Sequence, residues 1–222
     1  MVAKKRITKK AMREDPLVTL ALKTSNFVQA HFTQVITGVV VLLAAVGIVL
    51  FTANAKRGAV GESERQLAFA MDQFLLRNYE SASTTFQGII DRYSNHTAGQ
   101  TSMYFLGECY LSLYRYQEGV DAYDRYLNSA GSDATFSVAA TIAKAYAYEG
   151  LTQFQPAAEV LTELAGTMNL DDARYLDVLF GAGLFWEQAQ DIPQAIEFYD
   201  RVAQLATGTL KSRASVKLAL LR

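Results

Sequence analysis

Few side chains of this chain have the types and the spacing that catalysis or metal binding needs. Its two histidines, His31 and His96, lie far apart in the sequence, and neither has a cysteine or carboxylate at the spacing of metal ligands. The single cysteine, Cys109, lies in a predicted helix, where a cysteine is typically a small buried hydrophobe. Asp171 and Asp172 directly precede a predicted helix, which favours capping of its N–H groups over an acid pair. These residues predict neither a metal centre nor a nucleophile.

Two short motifs match functional signatures without the context that those signatures require. The glycines of Gly181-Ala182-Gly183 lack the third glycine and the preceding strand of a dinucleotide site. The triplet Asn95-His96-Thr97 fits a glycosylation sequon, which arises often by chance. We therefore predict that the chain is not an enzyme and that it holds no catalytic residue, cofactor or metal.

Residues 35–53 form a run of nineteen uncharged and mostly apolar residues. At 1.5 Å rise per residue, a helix of this length matches the roughly 30 Å hydrocarbon core of a bilayer. We therefore predict a transmembrane helix at 33–55. The small-x-small triplet Ala53-Asn54-Ala55 also fits a signal-peptide cleavage site, but the leader before the run is long for such a peptide. A buried globular helix is the third interpretation, although such helices seldom run so far without a polar face.

Basic residues predict the orientation of this span. Residues 1–34 carry seven Lys and Arg against Glu14 and Asp15, so their net charge is +5. Because the whole chain has a net charge of −1, residues 35–222 have a net charge of −6. Lys and Arg near a span are retained on the cytoplasmic side. We expect a bacterial cytoplasmic (inner) membrane protein with a cytoplasmic N-terminus and a periplasmic C-terminal domain. Membrane lipids would contact the span and the basic tail, and nucleic acid is excluded as a partner of the acidic domain.

Composition divides the rest of the chain into segments. Residues 1–14 form a basic cytoplasmic tail, and 15–32 form an amphipathic or pre-span helix that begins at Asp15-Pro16. Residues 56–62 form a short linker with two glycines. Ser63 and Gln66 match a capping box, which predicts that the large domain, 63–222, opens there.

This domain repeats itself. Small residues recur at intervals of 37, 38 and 38 residues, each shortly after a bulky residue and four positions before a large apolar one. Upstream of three of them, a second pattern places a small residue three positions before an aromatic one, which predicts that two helices pack closely as a hairpin. The small residues are Ala82, Gly119, Ala157 and Ala195; the bulky ones are Tyr79, Tyr116, Phe154 and Ile192; the apolar ones are Phe86, Tyr123, Leu161 and Tyr199; the upstream sets are Leu106, Gly107 and Tyr110, then Ile142, Ala143 and Tyr146, then Ala182, Gly183 and Trp186.

These residues resemble the tetratricopeptide repeat over roughly residues 64–204. The first unit fits through Ala70 and Phe74 if its turn is one residue shorter, and in the third unit Gly150 stands at the turn glycine. The resemblance implies an all-α fold: the N-terminal transmembrane helix, then an α-solenoid of about four hairpins and a C-terminal capping helix at 210–221. One such hairpin cannot bury its apolar stripe alone, so the units must stack.

The layout of basic tail, single span and outward repeat domain is similar to that of the bacterial ancillary Sec-translocon subunit family. This resemblance implies a membrane-anchored protein–protein interaction module, adaptor or chaperone-like, that assists export, folding or assembly of envelope or membrane proteins. Expected partners are peptide segments and membrane complex subunits, the Sec translocon among them. The alternative is a permanent accessory subunit of a large translocase, respiratory or photosynthetic complex.

In this repeat class the first helices line the inner wall of the solenoid, which implies a protein-binding face. The alternative is that these side chains fill the core or cover the C-terminal helix. The implied residues are Met71, Phe74 and Leu75 in unit one; Tyr104, Glu108, Leu111 and Ser112 in unit two; Lys144, Ala147 and Tyr148 in unit three; and Phe180, Leu184, Glu187 and Gln188 in unit four.

Overall fold

The computed structural model describes residues 32–129 and 134–222, except for the side chains of residues 32, 35, 36, 38, 39, 53–57, 134 and 135. The predicted basic tail, 1–14, and residues 15–31 of the predicted pre-span helix lie outside these ranges. The chain divides into two compact units, Met1–Gly58 and Ala59–Arg222. The repeat domain is the second of them.

The first described helix, α1, is Phe32–Leu75. In its first half, nine large apolar side chains are exposed, and because successive helical residues point in different directions they cover every side of the helix. In the part of the chain that is described, no helix is both long and apolar enough to cross a membrane. The predicted span, 33–55, includes side chains outside that part. The nine exposed residues are Val40, Val41, Leu42, Leu43, Val46, Ile48, Val49, Leu50 and Phe51.

The residues of the predicted linker, 56–62, are helical and belong to α1, and the boundary between the two compact units falls among them, after Gly58. A helical glycine costs only about 1 kcal/mol relative to alanine, and side-chain pairs on the helix surface offset part of this. The Glu62 carboxylate accepts hydrogen bonds from Arg65 and Gln66. The predicted capping box is wrong, because Ser63 lies inside α1 and its hydroxyl donates to the carbonyl of Val60.

The described residues form nine α-helices, and the repeat domain contains four hairpins and a C-terminal helix, as the sequence predicts. The second helix of each hairpin begins at the predicted bulky residue. The helices after α1 are α2 Tyr79–Tyr93, α3 Thr97–Ser112, α4 Tyr116–Leu127, α5 Ala134–Gly150, α6 Phe154–Thr167, α7 Tyr175–Gln188, α8 Ile192–Leu205 and α9 Gly208–Leu221.

One turn geometry joins the two helices of every hairpin. The residues Arg77, Tyr114, Thr152 and Gln190 have φ between 58° and 64° and recur at intervals of 37, 38 and 38 residues. In each turn the next residue donates its backbone N–H to the carbonyl five positions back, at 2.8–3.0 Å. This is the Schellman geometry of helix ends, in which glycine usually occupies the left-handed position. Here all four residues are other than glycine.

The repeat pattern produces the core. All four predicted small residues of the second helices are buried, and so are the large residues four positions later: Phe86, Tyr123, Leu161 and Tyr199. Buried apolar residues form two clusters, one running from Ala70 to Ala140 and the other from Ala145 to Leu218. Each cluster joins neighbouring hairpins, because one hairpin alone leaves its apolar stripe exposed.

In the third unit, the predicted register is wrong by two residues. The left-handed turn residue is Thr152, whereas Gly150 is the last residue of α5 and its missing side chain leaves room for the Tyr116 ring. Counted from the turn, Ala145 and Tyr148 occupy the places that Gly107 and Tyr110 hold in unit two. The predicted set Ile142, Ala143 and Tyr146 therefore lies two positions too early.

In the first unit, Ala70 occupies the same place without any shortening of the turn. The aromatic position holds Gln73, whose side chain donates to the Ser81 hydroxyl at 2.7 Å and accepts from Thr85 at 2.8 Å. These hydrogen bonds connect α1 and α2.

Replacement of Gly107 by alanine tests the close helix contact. A Cβ at Gly107 would lie 2.6 Å from the Tyr123 ring, so Gly107→Ala should destabilise the domain by about 1–3 kcal/mol. A Cβ at Gly88 in α2 would have no atom within 4 Å, so Gly88→Ala should stabilise the domain by about 0.5–1 kcal/mol. Thermal unfolding followed by circular dichroism measures both. Equal shifts in the two variants would contradict the packing.

Candidate protein-binding site

Residues at equal distances before the turn residue are equivalent in the four units. Those at ten, six, three and two positions before it form one side of each first helix, which we call the first-helix face. It includes every predicted binding residue except Lys144, Ala147 and Tyr148. Its members are Leu67, Met71, Phe74 and Leu75; Tyr104, Glu108, Leu111 and Ser112; Ile142, Tyr146, Glu149 and Gly150; and Phe180, Leu184, Glu187 and Gln188.

Packing buries the neighbouring sides of the first helices. Seven positions before the turn, a small residue lies against the second helix of the same hairpin, as Gly107 does against Tyr123. Five positions before it, Cys109, Ala147 and Phe185 are buried. Ala147 has no exposed surface, so it is excluded from any binding face.

Lys144 and Tyr148 belong to other surroundings. The Lys144 ammonium lies 2.5 Å from the Asp124 carboxylate of α4, beside a cavity of about 250 Å³ that residues of α6 also line. Tyr148 is partly buried against the core cluster of units three and four. The corrected register places Tyr146 on the first-helix face instead, and 51% of this tyrosine is exposed.

The first three units carry an aromatic cluster on this face. Tyr104 is at its centre, with ring centroids 5.1 Å from Phe105 and 5.1 Å from Phe136. The Phe105 ring in turn lies 5.4 Å from Phe74 of α1. Sequence analysis missed Phe105 and Phe136, although Phe105 directly follows a predicted residue. Because Phe136 is 43% exposed, the cluster has aromatic surface that is accessible to solvent.

Glu108 is bound within the protein. The Tyr123 hydroxyl donates to its carboxylate at 2.7 Å. Burial, followed by the charge of Glu108, raises the pKa of Tyr104 to about 12 and raises that of Tyr123 further. Both hydroxyls therefore remain protonated donors, and the carboxylate orders the cluster.

At the C-terminal end, α9 lies against the first-helix face of unit four. The Arg213 guanidinium stacks 4.4 Å over the ring of Phe180, which is only 5% exposed. Glu187 accepts hydrogen bonds from the Lys217 ammonium at 2.8 Å and the Tyr199 hydroxyl at 2.6 Å. Phe180 and Glu187 therefore cover the C-terminal helix, as the alternative interpretation expects for some of these side chains.

The side chains that the sequence offered as candidates for catalysis or metal binding are not part of the first-helix face. Burial and then the charge of Glu108 raise the pKa of the Cys109 thiol to about 12, so the sulfur is a neutral packing group. The Asp172 carboxylate accepts hydrogen bonds from Arg174, which lower its pKa to about 2. Among the residues that the structure describes, no three His, Cys, Asp or Glu side chains come close enough to share a metal ion. His31 lies outside them.

Lys217→Met tests the link between α9 and α7. Burial raises the pKa of Glu187, but hydrogen bonds from Lys217 and Tyr199 outweigh it and keep the pKa below the ordinary 4.5. A carboxylate with a lowered pKa contributes stability above pH 4.5, and this contribution is lost as the pH falls through the lowered value. Lys217→Met should therefore lower stability by about 1 kcal/mol or less at pH 7 and have no effect in acid. The control Lys211→Met, on the exposed side of α9, should leave the stability unchanged at pH 7 and in acid. Thermal unfolding at both pH values measures these effects.

Comparison with known proteins identifies the fold. No family model matches the chain, and no curated protein matches it. Among solved structures, MamA from Desulfovibrio magneticus RS-1 is 19% identical, with a TM-score of 0.52 over 64% of this chain and 75% of that one. The kinesin light chain TPR-like repeats of Podosopora anserina are 15% identical, with a TM-score of 0.56 over 71% and 84%. BtubC from P. vanneervenii is 14% identical, with a TM-score of 0.56 over 73% and 72%. The repeat domain of this chain therefore has the all-helical fold of tetratricopeptide-like repeats.

Proposed function

We propose that this chain is a membrane-anchored protein–protein interaction module on the periplasmic side of a bacterial inner membrane. Its repeat domain holds segments of other proteins on the first-helix face and so assists export, folding or assembly of envelope or membrane proteins. The observation that carries this proposal is the row of accessible aromatic and aliphatic side chains at equivalent positions of successive repeats.

The chemistry of this face suits a protein segment. Leu75 of unit one is 71% exposed, and Tyr146 of unit three is 51% exposed. Met71, Phe74, Leu111 and Leu184 on the same face are half-buried and supply further apolar surface. Repeat arrays of this kind bind extended or helical segments through such apolar anchors, and TPR-like folds generally bind other proteins.

Membrane anchoring rests on the sequence and on α1. The uncharged run at 35–53 has the length of a bilayer core, and nine large apolar side chains in this part of α1 are exposed. The basic residues of 1–34 favour a cytoplasmic N-terminus. A permanent accessory subunit of a membrane complex would use the same anchor and differs only in the lifetime of its contact with a partner.

Truncation of exposed side chains tests the binding face. Leu75→Ala combined with Tyr146→Ala should remove co-purifying proteins and leave the circular dichroism spectrum unchanged, because both side chains are exposed. Loss of the edge contact between the Tyr146 and Phe185 rings, 5.8 Å apart, should lower the stability by only about 0.5–1.5 kcal/mol. Leu170→Ala combined with Tyr114→Ala is the matched control, since Leu170 is 68% and Tyr114 is 78% exposed away from this face. Purification in mild detergent followed by mass spectrometry measures the loss. Retention of all partners by the first pair would refute the binding face, and a single partner at constant stoichiometry would favour the accessory subunit.

Protease protection tests the anchor. Protease added to spheroplasts should digest residues 59–222 and leave an N-terminal tag intact, whereas digestion of the tag would reverse the orientation. A charge in the middle of the span, Ala45→Arg, should weaken insertion by about 2.5–3.5 kcal/mol, so that part of the protein is extracted by alkaline carbonate. The control Ala219→Arg, on exposed α9 surface, should remain in the membrane fraction. Complete extraction of the unchanged chain would contradict anchoring.

A further inference from the structure

An apolar groove lies between α7 and α9. Its volume is about 360 Å³, which falls in the range of ligand-binding clefts. Phe180 and Leu184 of α7 form one side, and Val216 and Leu220 of α9 form the other. Val216 is 59% exposed and Leu220 is 76% exposed, four residues apart and therefore on one side of α9.

The charge around this groove is positive. Residues 208–222 contain four basic residues and no acidic one. Lys217 is paired with Glu187, and Arg222 with Asp200. Arg213 lines the groove and stacks on Phe180, but it makes no ion pair with a carboxylate among the described residues. The groove thus offers aliphatic contact surface beside a guanidinium whose hydrogen-bond donors are available.

We infer that this groove binds an acidic amphipathic segment of a partner protein, with aliphatic side chains between α7 and α9 and a carboxylate on Arg213. The inference rests on the proposed function and specifies the chemistry of the partner. Aliphatic anchors four residues apart fit the apolar side of a short helix, and a carboxylate beside them complements the basic surface of α9. Arginine binds carboxylates through two parallel hydrogen bonds, which fixes the orientation of the segment.

Binding of a designed peptide tests this inference. The probe is a fluorescein-labelled helical peptide with leucines at i, i+3 and i+4 and glutamates at the flanking positions. Fluorescence anisotropy measures its affinity for the full chain in phosphatidylcholine nanodiscs. Leu220→Ser and Arg213→Glu should each weaken binding by at least about tenfold, and the fold should persist because both side chains are exposed.

Matched controls isolate the groove. Leu205→Ser and Arg201→Glu change an exposed leucine and an exposed arginine of α8, outside the groove, and should leave the affinity unchanged. A peptide with lysines in place of the glutamates should bind at least about tenfold more weakly to the unchanged protein.

Four results would overturn the inference. The first two are equal affinity of the groove variants and the unchanged protein for the peptide, and equal affinity of the unchanged protein for the glutamate and lysine peptides. The third is a dimer that Leu220→Ser dissociates and the peptide does not, which would identify a second copy as the occupant. The fourth is loss of peptide binding only in the Leu75→Ala, Tyr146→Ala protein. The last result would refute the groove and support the first-helix face, so failure of this inference remains distinguishable from failure of the proposed function.

Discussion

Every hairpin of the repeat domain depends on close approach of its two helices at one small residue. Glycine meets a tyrosine ring in two units: a Cβ at Gly107 would lie 2.6 Å from Tyr123, and one at Gly183 would lie 2.9 Å from Tyr199. The equivalent pairs in the other units are Ala70 with Phe86 and Ala145 with Leu161, all buried. Where the first helix has glycine, the second helix has the larger tyrosine; where the first helix has alanine, the second has the smaller phenylalanine or leucine. Each pair therefore fills a similar volume, as the close packing of protein cores requires. The turns, the stacking of units and the exposed first-helix face all follow from this contact.

The sequence predicted the features that packing imposes on residue type. The small and the large buried residues of the second helices recur every 37 or 38 residues, and this period was enough to predict the four hairpins and their second helices. It did not predict the turn of the third unit, because the left-handed residue there is Thr152 and the nearby glycine, Gly150, serves a different contact. It also did not predict that α1 continues through 56–62, since a glycine weakens a helix by only about 1 kcal/mol and does not end it.

The candidate site could be predicted only in part. In three units the predicted residues lie on the first-helix face because the repeat register was right there. In unit three, the error in the turn shifted the prediction from Tyr146 to Lys144, Ala147 and Tyr148. Contacts between distant parts of the chain leave no local signal. For this reason the hydrogen bonds of Lys217 with Glu187, thirty residues apart, and the stacking of Arg213 on Phe180 emerged only from the structure.

The four left-handed turn residues affect how the domain unfolds. A residue other than glycine in this conformation costs roughly 1–2 kcal/mol, so every hairpin carries an internal penalty at the same point. The stability of stacked repeats is approximately the sum of intrinsic terms and interface terms between neighbours. Because the turns lower the intrinsic term, the interfaces must supply a larger share, and no hairpin retains much stability once a neighbour is lost. The array should therefore lose its structure cooperatively, with the hairpins unfolding together instead of one at a time.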